Sequence, residues 1–555
     1  MVRLPKQSAP SVATPGSSTG RGVERLLAAV FFLWLFLTCC YPLVDTDFWW
    51  HLRTGELIAQ RGEIPQVDWY TFTDYDRPWI DLHWGFQLAL AGLYQLGGLN
   101  LVILVKAALL TLTVAIGWFA PPRGLPVWGR AAIWVLPAIA LTGRGDVRPE
   151  VVSLLFLSVW LAIVMRLDRT PDLIWWLPLL QVLWVNCHGL FVLGLVVGAC
   201  YAIDRLCRWW ARGRFGLEPL AGGPSLRVLL WAAGLTGLAC FLNPYVEEGA
   251  FFPLVLYKKF STDRMFYSRI GEFQPPLWFV QKHGLKNLYV AAEFATWCLG
   301  AVSFAWLARC KRVNLLRMLL FASFSHLAWQ ATRNTNIFAV VTGCVIFGNF
   351  ADALRLKDAP PPGRWRGACN AAGLTVLGAF IAAVLSGTWN GWGDGNKPFG
   401  LGEADGWFAH GAAKFAGRSG MPERAFVANH GQAGVYIYHN APGRLVFMDG
   451  RLEVSTQKTF ELYEMICAQI AGRDRRWEAA LRDAKGQLPA ILLDSRFARP
   501  QIAGLLATPG WRMVFADPAG ALFIEDRLAK KLALAPADPL PLRHPPGTRL
   551  RQGPP

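Results

Sequence analysis

Residues 45–85 read DTDFWWHLRTGELIAQRGEIPQVDWYTFTDYDRPWIDLHWG and follow the first long apolar run of the chain. Aspartates and histidines alternate here with tryptophans, whose rings favour the boundary between lipid and water. The stretch therefore predicts a loop on the surface of a membrane, acidic where it faces water. We expect the chemistry of the chain to lie in this loop.

Asp47 is predicted to N-cap a helix over about residues 48–60, because its carboxylate can accept the free N–H groups of the first turn. On that helix Asp47, His51 and Thr54 lie along one polar strip, so a carboxylate and an imidazole can meet one turn apart. The alternative is that Asp45 and Asp47 only cap and turn the backbone. The density of carboxylates and aromatic rings in one loop favours a functional role.

The composition excludes an ordinary soluble protein and a nucleic-acid-binding protein. The 555 residues are 53% hydrophobic and only 17% charged, and the mean hydropathy is +0.30, which is typical of a polytopic membrane protein. The net charge is +17, but Lys and Arg lie in short loops between apolar runs, as the positive-inside rule requires. Nucleic-acid binding needs them clustered on a folded surface.

The 11 cysteines are scattered, and the sequence contains no CxxC pair. No metal cage and no disulfide framework are therefore predicted. Only Cys467 follows residue 389, so we expect that part of the chain to fold on its own hydrophobic core.

A membrane-spanning helix needs roughly 20 apolar residues, and on this basis the sequence predicts about 11 spans. Residues 84–97 are also apolar, but Gly97-Gly98 interrupts the run, and we assign them to a surface or re-entrant helix of the first external loop, residues 45–99. The predicted spans are 26–44, 100–119, 131–144, 150–166, 173–186, 190–205, 226–243, 288–308, 314–331, 336–353 and 369–387. No small-residue cleavage site follows 26–44, so we expect this run to be retained.

The charges predict one orientation in the membrane. If the N-terminus is cytoplasmic, the basic clusters fall on the inside, among them Arg123 with Arg130, Arg212 with Arg214, and Lys357. The outside then receives the first loop and four further polar segments, at 143–150, 186–189, 243–276 and 331–336. We expect these segments to meet in one external cavity.

Four regions follow from the change in composition along the chain. Residues 1–25 are predicted to be a disordered cytoplasmic tail, 26–388 a transmembrane module, 389–527 a small α/β domain outside the membrane, and 528–555 a disordered Pro-rich tail. In the α/β domain, strands are predicted over 425–429, 434–439, 444–449, 490–494 and 511–517. ADPAG at 516–520 is predicted to be a hairpin turn.

Several motifs together resemble bacterial multispan proteins of the GT-C glycosyltransferase superfamily, to which rhizobial lipopolysaccharide glycosyltransferases and protein O-mannosyltransferases also belong. The resemblance covers about residues 26–527 and is strongest in the first external loop, where the superfamily carries a short acidic motif and this chain has Asp45 and Asp47. The group often has an acidic residue where this chain has His83. The motifs are DTDFWWHLRTGELIAQRGEIP, PWIDLHW, RPEVVSLLF, WVNCHGLFVLGL, LNPY with EFQPP, ATRNTNIF and FMDGR.

The resemblance implies a GT-C-like helix bundle and an inverting hexosyl- or pentosyltransferase whose donor is a sugar on a polyprenyl phosphate. In such a reaction an acceptor hydroxyl loses a proton and a phosphate leaving group is stabilised. Asp47 is then the candidate general base, and Asp45 holds it or a divalent cation. Carboxylates suit hard cations, so Asp45 and Asp47 are also candidate ligands of Mg²⁺ or Mn²⁺.

Arg148 and Arg333 are the candidates for binding the lipid phosphate, because a guanidinium binds phosphate through two parallel hydrogen bonds. The alternative for an arginine at a span end is that it reaches to the lipid headgroups. Arg144, Lys258 and Lys259 are weaker candidates. The remaining candidate substrate-binding residues are His51, His83, His188 and Glu272.

Some of these residues also have structural interpretations. His188 lies in Asn-x-His-Gly, which favours a turn, and Glu272 in an exposed loop is often only solvated. Asp449 and Arg451 are interpreted first as a structural ion pair.

The sequence thus predicts a glycosyltransferase at the outer face of a bacterial cytoplasmic membrane. Its partners are membrane lipid, a polyprenyl-phosphate sugar donor and a glycan, lipid or protein acceptor. Two alternatives stay open. A transporter or lipid flippase would place ionisable residues near the bilayer midplane and show internal repeats, and a non-catalytic anchor would present the C-terminal domain to a partner.

Overall fold

The computed structural model describes residues 18–538 apart from 75, 121–124, 212–219, 221, 263–266, 268–269, 356–362, 394 and 396. Most of the two predicted tails, and Arg123, Arg212, Arg214 and Lys357 of the predicted inside loops, lie outside the described residues.

The part of the chain before residue 393 is helical. Its helices are α1 (Ser18–Thr38), α2 (Asp47–Arg61), α3 (Trp84–Phe119), α4 (Val127–Thr142), α5 (Pro149–Val164), α6 (Trp176–Val185), α7 (Val192–Ala211), α8 (Leu226–Ala239), α9 (Val246–Thr262), α10 (Pro276–His283), α11 (Leu288–Arg309), α12 (Leu315–Gln330), α13 (Thr335–Arg355), α14 (Gly363–Leu385) and α15 (Thr388–Trp392).

Five helical stretches in the described residues are long and apolar enough to cross a membrane: Trp84–Phe119, Gly189–Ala211, Leu288–Arg309, Thr332–Leu354 and Trp365–Leu385. Shorter apolar helices occupy Val127–Thr142, Pro149–Val164, Pro171–Val185 and Leu226–Ala239. The chain is therefore a helical protein with several candidate spans, and the count of about 11 stays a prediction.

The predicted interruption at Gly97-Gly98 is present inside α3. Gly97 has φ −157° and ψ 20°, and Gly98 has φ 62° and ψ −163°, a combination that favours glycine because it has no Cβ. The apolar segment before the two glycines therefore runs in a different direction from the segment after them, and it packs against α2.

A five-stranded mixed sheet lies in the C-terminal part of the chain, in the order β2-β1-β3-β5-β4. β1 is parallel to β2 and β3, whereas β5 is antiparallel to β3 and β4. The strands are β1 (Arg424–Ala428), β2 (Leu445–Val446), β3 (Ala490–Asp494), β4 (Trp511–Ala516) and β5 (Gly520–Glu525). The helices are α16 (His410–Ala416), α17 (His430–Asn440), α18 (Gln457–Ala471), α19 (Trp477–Leu481), α20 (Arg499–Leu506) and α21 (Asp526–Lys531).

The strand predicted over residues 434–439 is wrong, because these residues belong to α17. Asn429 begins this helix by accepting the Gly431 N–H with its side-chain oxygen at 3.1 Å. A short apolar run has no periodicity that separates a strand from a buried helix. Since β1 and β2 are parallel, the chain between them must cross over, and a helix makes that crossing.

The first external loop joins the sheet instead of lying apart from it. The Val446 N–H donates to the Tyr70 carbonyl at 2.8 Å, and the Phe72 N–H donates to the Val446 carbonyl at 2.9 Å. One hydrophobic cluster contains Phe48 and Trp49 of α2 together with Val427 of β1 and other residues of the sheet. The chain after residue 389 therefore has one cluster of buried residues of its own and shares a second cluster with the first loop.

The prediction that the carboxylates of the first loop face water is also wrong for several of them. Asp68 and Asp81 are 0% exposed, and Asp45 is buried as well. Burial of an ionised carboxylate is unfavourable without partners, and each of these three has hydrogen-bonded partners inside the protein.

Candidate active site

Arg148 brings the two aspartates of the DTD motif together. It precedes α5 in extended backbone, with φ −127° and ψ 159°. Its Nε lies 2.5 Å from Oδ2 of Asp45, and its Nη2 lies 2.8 Å from Oδ1 of Asp45 and 3.0 Å from Oδ2 of Asp47. These residues are about a hundred positions apart in sequence, so the fold creates this contact.

The Glu272 carboxylate contacts three guanidinium groups in the same region. Its carboxylate lies 2.8 Å from Nη2 of Arg144, 3.4 Å from Nη1 of Arg148 and 3.6 Å from Nη1 of Arg333. Arg144 also donates to Glu150 through Nε at 3.1 Å. Of the predicted residues, Asp45, Asp47, Arg148, Glu272 and Arg333 therefore form one cluster, and Arg144 belongs to it as well.

Asp47 does not cap α2 with its carboxylate, contrary to the prediction. The helix begins at Asp47, and the Asp47 N–H donates to Oδ1 of Asp45 at 3.1 Å. The Asp47 carboxylate instead accepts from the Trp50 indole N–H at 3.3 Å and faces Arg148. The Asp45 carboxylate thus accepts the backbone N–H at the start of α2. The Asp47 carboxylate contacts Arg148 and Trp50 instead.

The two aspartates differ in how deeply they are buried. The Asp45 side chain is 4% exposed and the Asp47 side chain 23% exposed. Burial raises the pKa of Asp47 to about 7, with further raising by Asp45 and Glu272, against the lowering effect of Arg148 and of the Trp50 hydrogen bond. Burial also acts to raise the pKa of Glu272, but Arg144, Arg333 and Arg148 outweigh it and hold that pKa well below its usual range.

The three predicted histidines form a second row next to this cluster. The His51 and His83 ring centroids are 5.5 Å apart, and those of His83 and His188 are 5.4 Å apart. His83 Nδ1 lies 3.1 Å from Oδ1 of Asp81, and His188 Nδ1 lies 2.8 Å from the Ser153 hydroxyl. The indole of Trp50, which donates to Asp47, lies 6.5 Å from the His83 ring and joins the row to the cluster.

The predicted contact between Asp47 and His51 is wrong. In the described part of the chain, the hydrogen-bond partner of the His51 ring is the Gln87 amide, at 3.3 Å, and that amide also donates to Asp81 at 3.2 Å. Burial lowers the pKa of His51 and of His188. Burial also acts to lower the pKa of His83, but the hydrogen bond and charge of Asp81 outweigh it and raise that pKa.

A third group of residues supports the loop that carries Arg144 and Arg148. Asp146 lies between them and accepts from Lys397 Nζ at 2.9 Å and from the Tyr41 hydroxyl at 3.2 Å. Burial acts to raise the pKa of Asp146, but Lys397 and Arg148 lower it to about 2. Lys397 is not among the predicted site residues, because no feature of the sequence after the last predicted span indicates a contact with residue 146.

Two glycines of the C-terminal region, Gly431 and Gly450, pack directly against the DTD motif. A Cβ at Gly450 would lie 2.5 Å from Oδ1 of Asp47, and a Cβ at Gly431 would lie 2.5 Å from the Thr46 hydroxyl. Next to Gly450, Arg451 is fully buried and donates to Asp449 and Asp68 at 2.6 Å. Asp449 and Arg451 therefore form a structural ion pair that includes the first loop.

Lys258 is exposed, and Lys259 donates to two carbonyls of the 452–455 segment.

Asp45 and Asp47, the expected Mg²⁺ or Mn²⁺ ligands, make contacts that bear on metal binding. Among the described residues, no three His, Cys, Asp or Glu side chains are arranged to hold a metal ion. Asp45 and Asp47 both direct an oxygen at Arg148, so a guanidinium already stands where a cation would bind. The arrangement does not fit a metal site, and metal binding by the pair stays a prediction.

The comparisons with known proteins give similarity to solved structures only. No protein-family model and no curated protein sequence matches the chain. The chain is similar to the Archaeoglobus fulgidus oligosaccharyltransferase tethered with an acceptor peptide, at 10% identity and a TM-score of 0.49, over 92% of this chain and 74% of that one. It is also similar to ArnT from Cupriavidus metallidurans bound to undecaprenyl phosphate, at 14% identity and a TM-score of 0.47, over 91% of this chain and 98% of that one.

Proposed function

We propose that the chain is a membrane glycosyltransferase that moves a sugar from a polyprenyl-phosphate donor to an acceptor hydroxyl at the outer face of the cytoplasmic membrane. The observation that carries the proposal is the cluster in which Arg148 contacts Asp45, Asp47 and Glu272 while Arg144 and Arg333 also contact Glu272. It places a candidate base beside three cationic groups suited to a phosphate.

The three arginines supply the binding site for the leaving phosphate. Guanidinium groups bind phosphate through paired charge-assisted hydrogen bonds, and Glu272 contacts three of them. Arg333 is the most available, because its side chain is 33% exposed and its contact with Glu272 is the longest of the three. We infer that the lipid phosphate binds first at Arg333, because Arg148 already contacts Asp45, Asp47 and Glu272.

Asp47 is the general base of the proposed reaction. The acceptor oxygen attacks the anomeric carbon, the bond between that carbon and the phosphate oxygen breaks, the phosphate leaves with the electron pair, and Asp47 takes the hydroxyl proton. A base with a pKa near the working pH combines a useful ionised fraction with a useful proton affinity, and the pKa of Asp47 is raised to about 7 by burial. Asp45 is a positioning residue, since it holds Arg148 and the Asp47 N–H.

The proposal is tested in a deletion strain complemented with variants, by measuring sugar-charged and free polyprenyl phosphate in lipid extracts. Asp47→Asn is expected to lower transfer by about 100-fold or more, the lower end of the range for loss of a general base, so the charged donor accumulates. Asp76→Asn in the same loop is the control, because Asp76 is exposed, and it should behave as wild type. A folded Asp47→Asn protein with full transfer would overturn the proposed mechanism.

A further inference from the structure

Two polar residues of the C-terminal region face the cluster without a role in the mechanism above. His430 is the first residue of α17, two residues after the end of β1, and Glu453 lies in the turn at 452–454 that follows Gly450 and Arg451. β1 and β2 are parallel, so the segments that follow them leave the sheet at the same edge. Both residues therefore lie at the carboxyl edge of the sheet.

This edge contacts the DTD motif directly. The position of Gly431 leaves no room for a side chain beside Thr46, and that of Gly450 leaves none beside Asp47. A third close approach supports the same geometry, since a Cβ at Gly434 would lie 2.7 Å from the Thr46 carbonyl oxygen. The sheet edge is therefore one wall of the candidate active site.

His430 and Glu453 lie in the segments that pack against the DTD motif, since His430 directly precedes Gly431 and Glu453 follows Gly450 by three residues. Burial lowers the pKa of His430, and the charges of Asp449 and Glu272 act in the opposite direction. Glu453 and His83 are close enough to affect the pKa of each other, although burial has the largest effect on both. His430 and Glu453 therefore both belong to the segments that form this wall of the site.

Their polar atoms are available to a ligand, in contrast to those of their neighbours. Asp449 and Arg451 are buried and paired with each other. The ring of His430 packs at 5.9 Å from Phe460 and 6.0 Å from Tyr463 and makes no hydrogen bond within the described residues. The Glu453 carboxylate accepts a hydrogen bond from its own backbone N–H. Both residues are only partly buried. An imidazole and a carboxylate of this kind commonly bind hydroxyl groups.

We propose that His430 and Glu453 contact the acceptor, which therefore binds between the first external loop and the carboxyl edge of the C-terminal sheet and is a hydroxyl-rich molecule. This proposal rests on the proposed function. The arginines then face the donor phosphate on one side of Asp47, and the sheet edge faces the acceptor on the other. His430 and Glu453 bind and orient hydroxyl groups, and the proton of the attacking hydroxyl still goes to Asp47.

The test separates donor binding from transfer. The full chain in nanodiscs is titrated with undecaprenyl phosphate, and the same variants are scored for donor accumulation in the complemented deletion strain. His430→Ala, His430→Gln and Glu453→Gln are expected to bind the lipid phosphate within about twofold of wild type and to lower transfer by about tenfold or more, since each loses a hydrogen bond to substrate. His326→Ala and Glu248→Gln, at exposed positions, are the matched controls.

Three results would contradict the proposal. Transfer at the wild-type rate by His430→Gln and Glu453→Gln would show that neither residue contacts the acceptor. Parallel loss of lipid-phosphate binding would place both residues in the donor site or in the folding of the region. If the wild-type chain neither binds undecaprenyl phosphate nor consumes the charged donor, the proposed function itself fails, and the acceptor site fails with it.

Discussion

Asp45 and Asp47 are chemically identical residues that the fold gives different properties. Asp45 is almost fully buried and receives two hydrogen bonds from Arg148. Asp47 keeps part of its side chain exposed and shares that arginine at 3.0 Å. Asp47 is therefore the more accessible of the two carboxylates, as the proposed mechanism needs for a base that must reach the acceptor hydroxyl.

The pH dependence of transfer follows from the raised pKa of Asp47, which is about 7. A general base works only in its ionised form, so we expect transfer to fall as the pH drops through about 7 and to level off above it. Trp50→Phe removes a hydrogen bond that lowers this pKa, so its midpoint should move to higher pH. Rates of transfer measured from pH 5 to pH 9 check both expectations.

A rate that stays constant below pH 6 in the wild type would contradict the assignment of Asp47 as the base. Asp47→Asn gives the matched control, because its residual transfer should lack this acid limb.

At the scale of elements, the close packing of α2 against α3 fixes the position of the DTD motif. A Cβ at Gly55 of α2 would lie 2.0 Å from the Gln87 carbonyl oxygen of α3. The Gln87 side chain in turn bonds to His51 and Asp81. Glycine at position 55 therefore sets the distance between the helix that follows Asp47 and the helix that supports the histidine row.

Gly55→Ala is expected to destabilise the protein by about 1–3 kcal/mol, because overpacking forces the two helices apart. Gly92→Ala is the control on α3, since nothing lies within 4 Å of the added methyl group. Thermal unfolding in detergent should show a lower midpoint for Gly55→Ala and an unchanged or higher one for Gly92→Ala. Equal midpoints for the two variants would contradict this account of the packing.

At the scale of the whole molecule, Arg451 joins the first external loop to the C-terminal sheet. Its guanidinium donates to Asp68 of the loop and to Asp449, all three side chains being buried. It also lies 4.4 Å from the centroid of Trp79 and 4.8 Å from that of Tyr70. The two parts of the chain are thus connected by an ion pair as well as by a shared hydrophobic core.

Arg451→Met is expected to destabilise the protein by about 3–5 kcal/mol, because it leaves two buried carboxylates without their positively charged partner. Arg476→Met is the control, since Arg476 pairs with Asp474 at an exposed site where ion pairs contribute little. Unfolding midpoints and protection of the first loop from protease report the difference. Wild-type stability in Arg451→Met would show that the hydrophobic core alone holds the two parts together.

The sequence alone determined the helical membrane class, the interruption at Gly97-Gly98 and most of the strands. It also determined that Asp45, Asp47, Arg148, Glu272 and Arg333 are candidates for one site. Hydropathy, glycine chemistry and alternation of apolar residues are local properties, and they can be recognised without knowing which segments meet. The resemblance in the first loop pointed to Asp45 and Asp47.

Only the tertiary structure decided what each of these residues contacts. Asp45 satisfies the start of α2 in place of Asp47, residues 434–439 form a helix, and Lys397 reaches Asp146. The sheet edge with His430 and Glu453 covers the DTD motif, although about 400 residues separate them in sequence. Hydrogen bonds and burial depend on distance in space, and no pattern in the sequence encodes distances between such remote segments.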